Sequence, residues 1–193
     1  MADEINAGKT SAKYESHPEG QFVGVCVDTI DMGETVESYE GGPEKLSHKV
    51  DLVFRTGEVN AEGTPIDVAR EFTLSMHEKA SLRKFLEAWR GKAYSEDVVE
   101  NGIPLHKLVG HPAYISIASK TSKAGRSYAV IASIFPVMKG TAAPALPPYT
   151  RAPYWEERKA EYAKKAAEYR DKVGAPKPKA ASADTDGDDD LPF

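Results

Sequence analysis

Two periods of apolar residues run along this chain, and they divide it into recognisable elements. In "QFVGVCVDTI" Val23, Val25 and Val27 fall on one parity and Phe22, Gly24 and Cys26 on the other, the mark of a strand buried on both faces for part of its length. "SHKVDLVFRTGEV" alternates, with Val50, Leu52 and Phe54 on one face and Lys49, Asp51, Val53 and Arg55 on the other, which predicts a half-buried strand. "AREFTLSM" predicts a third, with Phe72, Leu74 and Met76 inward. The period then changes. In "HEKASLRKFLEAWRG" Leu82, Phe85, Leu86 and Trp89 recur at helical spacing, Glu78 precedes them as a first-turn acid and Gly91 follows as a stop. Trp89 lies on the apolar face and is expected in the core. A polar connection leads to "AYISIASK", the turn "TSKAG" and "RSYAVIASIFPV", which together predict a hairpin.

Three strands, a helix and a closing hairpin is the element order of an all-β barrel of the OB-fold type, five strands with one helix between the third and fourth. The expected organisation is a flexible arm over 1–19, the OB domain over 20–140 and a proline-rich linker over 141–153, followed by a helix over 154–173 and a solvated acidic tail over 174–193. The helix carries Trp155, Tyr162, Ala166, Tyr169 and Val173 at stripe spacing, which fits docking onto the protein's own surface or a second subunit.

Charge changes this picture more than composition does. The net charge is −5. Asp184, Asp186, Asp188, Asp189 and Asp190 supply five negatives, so the rest of the chain sums to zero. Residues 101–152 contain no acid but six bases: Lys107, Lys120, Lys123, Arg126, Lys139 and Arg151. Asp28, Asp31, Glu34, Glu37, Glu40 and Glu44 form the opposite, base-free stretch, read as a solvated loop broken at Gly41, Gly42 and Pro43. One edge should be basic and another acidic.

The single cysteine, Cys26, sits in an apolar run and reads as a small buried hydrophobe, which fits a reducing, cytoplasmic setting. The acidic, apolar-poor start does not read as a signal peptide, and no run approaches the roughly 18–20 apolar residues of a membrane span. The five histidines have no metal-ligand spacing, and the phosphate-loop, dinucleotide and nucleophile-elbow motifs are absent, so neither enzymatic activity nor a cofactor is expected.

A binding function fits better. Non-specific single-strand binding needs cations that follow phosphates and flat faces on which bases stack. The hairpin over 114–128 offers both: Tyr114, Tyr128, Lys120, Lys123 and Arg126, with Lys107 upstream. Lys49, Arg55 and Arg70, on or beside the earlier strands, are candidates to extend that groove. Barrel packing of the tyrosines and ordinary turn lysines are the competing reading.

The chain closes with "DGDDDLPF". This ending resembles the acidic tip of bacterial and phage single-stranded DNA-binding proteins, with Leu191 where the common bacterial version has isoleucine. "EFTLSMHEKASLRKFLEAWRG" and "SKTSKAGRSYAVIASI" resemble phage replication-region proteins, while the strands carry no motif matching the bacterial ones. The resemblance implies an OB-fold that binds and protects single-stranded DNA with little sequence preference during replication, recombination and repair. It also implies that Asp188, Asp189, Asp190, Leu191, Pro192 and Phe193 recruit partner enzymes of those processes, the terminal ring and carboxylate together suiting a small apolar pocket with a basic rim. A homo-oligomer is compatible with the aromatic helix. A protein-interaction adaptor, a strand-annealing or recombination mediator and a nuclease are the alternatives.

Overall fold

A computed structural model describes residues 16–38, 41–122 and 125–174. Its five strands are β1 (Gly20–Glu37), β2 (Lys45–Val59), β3 (Pro65–Thr73), β4 (Pro112–Thr121) and β5 (Ser127–Phe135). The helices are α1 (Ser81–Arg90), α2 (Glu96–Asn101) and α3 (Tyr154–Val173), with a 3₁₀ turn at Leu105–Leu108. The strands form one antiparallel sheet in the order β3-β2-β1-β4-β5. The sheet curls but does not close by backbone pairing: β3 and β5 are its two edges.

The concave side holds the main core. Phe54, Phe72, Phe85 and Trp89 meet edge-on or tilted, with ring centroids 4.8–6.2 Å apart. Leu52, Leu82, Leu86, Ile115, Ile131 and Ile134 pack around them. The Trp89 indole N–H reaches the Pro112 carbonyl at 2.9 Å, so its one polar atom is satisfied in the interior. Helix α1 plugs the end of the curled sheet with its expected face, and Gly91, at φ +70°, ends it in the left-handed conformation glycine adopts without penalty. Glu78 precedes the helix and does not lie in its first turn.

Several expectations change. The acidic stretch is not a loop as far as Glu37: β1 runs 18 residues, with irregularities in its pairing to β2 between Cys26 and Asp28 and between Asp31 and Gly33. The first half of β1 pairs with β4 and the second with β2. An extra residue in one strand reverses which parity faces inward. Accordingly Phe22 and Cys26 join the main core, whereas Ile30 and Met32 join a second cluster on the convex side. Leu74 lies past the end of β3 and is exposed, although Phe72 is buried and Met76 packs against the core.

The third change concerns β2, which is covered on both faces. Over its convex side α3 lays Trp155, 3% exposed, on Ile30, Met32 and Val53, with Ala69, Tyr149 and Tyr162 at the margin. The proline-rich segment is a packed strap: the Pro147 and Pro148 carbonyls accept from Arg55 Nη1 at 3.1 and 3.3 Å. Tyr169 Oη donates to the Glu44 carbonyl at 2.7 Å, whereas Val173 is exposed. The helix stripe therefore docks on the protein's own sheet. The arm likewise becomes ordered structure before residue 20, because His17 is buried, edge-on to Phe22 and 2.6 Å from Thr56 Oγ1. Cys26 is fully buried, and burial pushes its thiol up to about 12. No described helix is long and apolar enough to cross a membrane.

Candidate nucleic-acid interface

Register places the convex side chains of the β4–β5 hairpin in rows. Tyr114 lies opposite Phe135, Ser116 opposite Ser133, Ala118 opposite Val130 and Lys120 opposite Tyr128. Their strand neighbours Ile115, Ile117, Ile131 and Ile134 point into the core, which leaves this outer face aromatic at its two ends and small-chained between them. Tyr128 and Phe135 are 41% and 55% exposed, far more than aromatic rings packed into a barrel. Tyr114 is half-buried, its hydroxyl 3.3 Å from Thr141 Oγ1. Arg126 is exposed at the turn, which closes through Ser122 N–H to the Arg126 carbonyl, 2.8 Å, with Gly125 at φ +75°. Lys123 lies outside the described residues, as do Asp188, Asp189, Asp190, Leu191, Pro192 and Phe193.

Beside this face, between the β3 and β5 edges, runs an open cleft of about 630 Å³. Lys120, Tyr128, Val130 and Ile131 form one wall, Asp67, Ala69 and Glu71 the other, and Tyr154, Trp155 and Arg158 of α3 the far end. The carboxylates in the lining already have partners. Asp67 holds Arg55 through two bonds of 2.6 and 2.9 Å, and Arg158 holds Asp51 at 3.2 Å and Glu71 at 2.5 Å. Burial nevertheless pushes Asp51 up to about 6, against the pull of Arg158. Lys120 adds a cation with no such partner among the described residues.

Arg70 occupies the seam. It pairs in register with Leu52, so its side chain leaves the inner face of β3, where the guanidinium sits 5.2–5.3 Å from the Phe72 and Phe85 rings. Its Nη1 donates to the Ile131 carbonyl of β5 at 2.9 Å, bridging two edges whose backbones do not pair. Burial lowers its pKa, and no described carboxylate lies within ion-pair distance of it.

Of the basic residues expected on the groove, Lys120 and Arg70 line the cleft and Arg126 adjoins it at the turn, whereas Lys49 and Arg55 do not form an open surface. Both are 5% exposed. Lys49 bonds Glu37 and Thr73 Oγ1, and Arg55 is clamped by Asp67, by the strap carbonyls and over the Tyr149 ring. Their alternation marked them as solvent-facing, but α3 and the strap cover that face. Lys107 sits half-buried in the 3₁₀ turn, outside the cleft lining.

The acidic stretch finds its role in the same cover. Asp28 takes two bonds from Arg151, both 2.7 Å, Glu34 pairs with Arg170, and Glu44 pairs with Lys172 at 3.5 Å. Asp31 pairs with His48 and Glu37 with Lys49. The acids are largely a dock for bases brought by the C-terminal segment. Sequence reading missed Phe135 as an exposed ring; the signal was its parity opposite to Ile134 at the end of the hairpin. Among the described residues no group of acids, histidines and cysteine is placed to hold a metal ion.

Comparison with known proteins identifies no relative: no protein-family model matches the chain and no curated protein matches its sequence.

Proposed function

We propose that this protein binds and protects single-stranded DNA with little sequence preference, and that its Asp-rich, Leu-Pro-Phe ending recruits replication, recombination or repair enzymes to that DNA. The observation that carries the reading is the bare outer face of the β4–β5 hairpin, where exposed Tyr128 stands beside Lys120 with Arg126 at the adjoining turn. A ring open to stacking beside cations suited to phosphates is the minimum such binding requires. The strand order, the helix between β3 and β4, and the Arg70 bridge where β3 and β5 approach support an OB-type barrel with an open seam. The reading is non-enzymatic, with Lys120, Arg126 and Tyr128 in binding roles and Lys123 added from the sequence.

The test is a salt-resolved fluorescence titration with oligo(dT), comparing the full chain with a form ending before Asp184. Quenching that weakens steeply with salt is expected in both. Absence of binding at low salt in both forms overturns the DNA reading in favour of a protein-interaction adaptor. Cleavage of labelled single strands with magnesium would replace it with a nuclease. Phe193→Ala is expected to weaken partner recruitment while leaving DNA affinity intact, because it removes the ring that a small apolar pocket would hold.

A further inference from the structure

A second, smaller cleft of about 310 Å³ lies where α1 meets β5. Phe85, Ala88, Ile134 and Phe135 supply its apolar lining, and Arg70 and Lys84 its cations; no carboxylate is among its lining residues. It shares Arg70 and Ala132 with the larger cleft. Ala132 is the exposed extra residue at the irregularity in β4–β5 pairing, where Ser116 lies opposite Ser133 but Ile117 opposite Ile131. A methyl is all it projects, so the passage between the two clefts is low, and its other side is a guanidinium.

We infer that the single strand follows the outer face of β5 from Tyr128, passes Arg70 and Ala132 at the seam, and seats a further nucleotide where the Phe135 end of that face meets α1. In that seat Phe135 receives the base, and Arg70 and Lys84 receive phosphate. This extends the proposed single-strand binding and rests on it. Charge complementarity selects the occupant: an apolar recess with an exposed ring and two cations fits a flat base carrying an anion. Burial of Arg70 beside two rings strengthens its hold on an anion, because little water competes for the guanidinium. The path also has a suitable length. Tyr128 and Phe135 are seven residues apart on β5, about 23 Å, a span that fits the lower part of the roughly 4–16 nucleotides held by folds of this kind.

The test compares a short oligo(dT), long enough only for the Lys120–Tyr128 end of the hairpin face, with a 20-mer, for the full chain and for Phe135→Ala, Lys84→Gln and Tyr128→Ala. In the full chain the 20-mer binds more tightly. Phe135→Ala is expected to cut that advantage about ten-fold and to shorten the occluded site, as loss of a stacked base does. Lys84→Gln, an exposed helix position that leaves the core untouched, is expected to lower the salt slope for the 20-mer by about 0.7. An unchanged length advantage in both variants, with Tyr128→Ala still weakening the short oligonucleotide, overturns the extended path and leaves the proposed function standing. No binding of either length by the full chain overturns both. Concentration-dependent self-association that Phe135→Ala abolishes assigns the recess to a second copy of the chain and overturns the nucleotide seat.

Discussion

The convex side of the curled sheet has two halves built from similar strands and finished in opposite ways. Over β1, β2 and β3 it carries Asp28, Glu34, Lys49, Asp51, Arg55 and Glu71, and each meets an opposite charge under or beside α3 and the strap. Over β4 and β5 it carries Tyr128, Lys120 and Phe135, exposed and uncovered. Charge density along the chain therefore does not tell which charges stay exposed in the fold. The described acids of 28–44 are paired within the molecule, whereas Lys120 and Arg126 of the hairpin have no ion-pair partner among the described residues.

Removing the cover has the largest expected effect. Trp155→Ala empties the centre of the second cluster and is expected to destabilise the protein by about 3–5 kcal/mol, read by denaturant unfolding. A loss below about 1 kcal/mol would show that the covered half does not depend on α3. Next comes the charge buried beneath that cover. Asp51 titrates near 6 in the folded protein and near the ordinary value of about 3.9 when unfolded, so folding takes up a proton between those values. Its contribution is fully present below about pH 4 and is lost as pH rises through about 6, an effect of up to about 3 kcal/mol. Asp51→Asn is expected to flatten the stability profile between pH 4 and 6; an unchanged slope would assign it to other groups. On the bare half, Tyr128→Ala is expected to cost about 1–3 kcal/mol of oligo(dT) affinity with folding stability barely moved. Equal binding by this variant would make the ring a bystander. The smallest effect is that of Arg126→Gln, which should reduce the slope of log affinity against log salt by about 0.7.

The helix α1, the hairpin and β2 were legible because each has one dominant period, and Leu82, Phe85, Leu86 and Trp89 are buried as that period requires. The length of β1 was not. An irregularity after Cys26 shifts its inward parity, so no single alternation describes it, and the acids beyond it mimic a solvated loop. Tyr128, Lys120 and Arg126 could be read as a hairpin cluster because they are neighbours in sequence. Arg70 was visible only as a strand-borne base, and its place at the seam depends on β5, some sixty residues later. Lys49 and Arg55 were misread for a related reason: α3 and the strap, which cover them, lie about a hundred residues further along the chain.

The buried thiol of Cys26 gives the protein an internal clock. The residue stands where β1 changes partners from β4 to β2, and its backbone N–H and carbonyl are held by His111 and Gly110. An alkylating reagent reaches a sulfur so enclosed only after these strands part, so its labelling rate counts openings of the junction between the covered and the bare half. A ligand seated on the β4–β5 face should slow that clock without touching the cysteine.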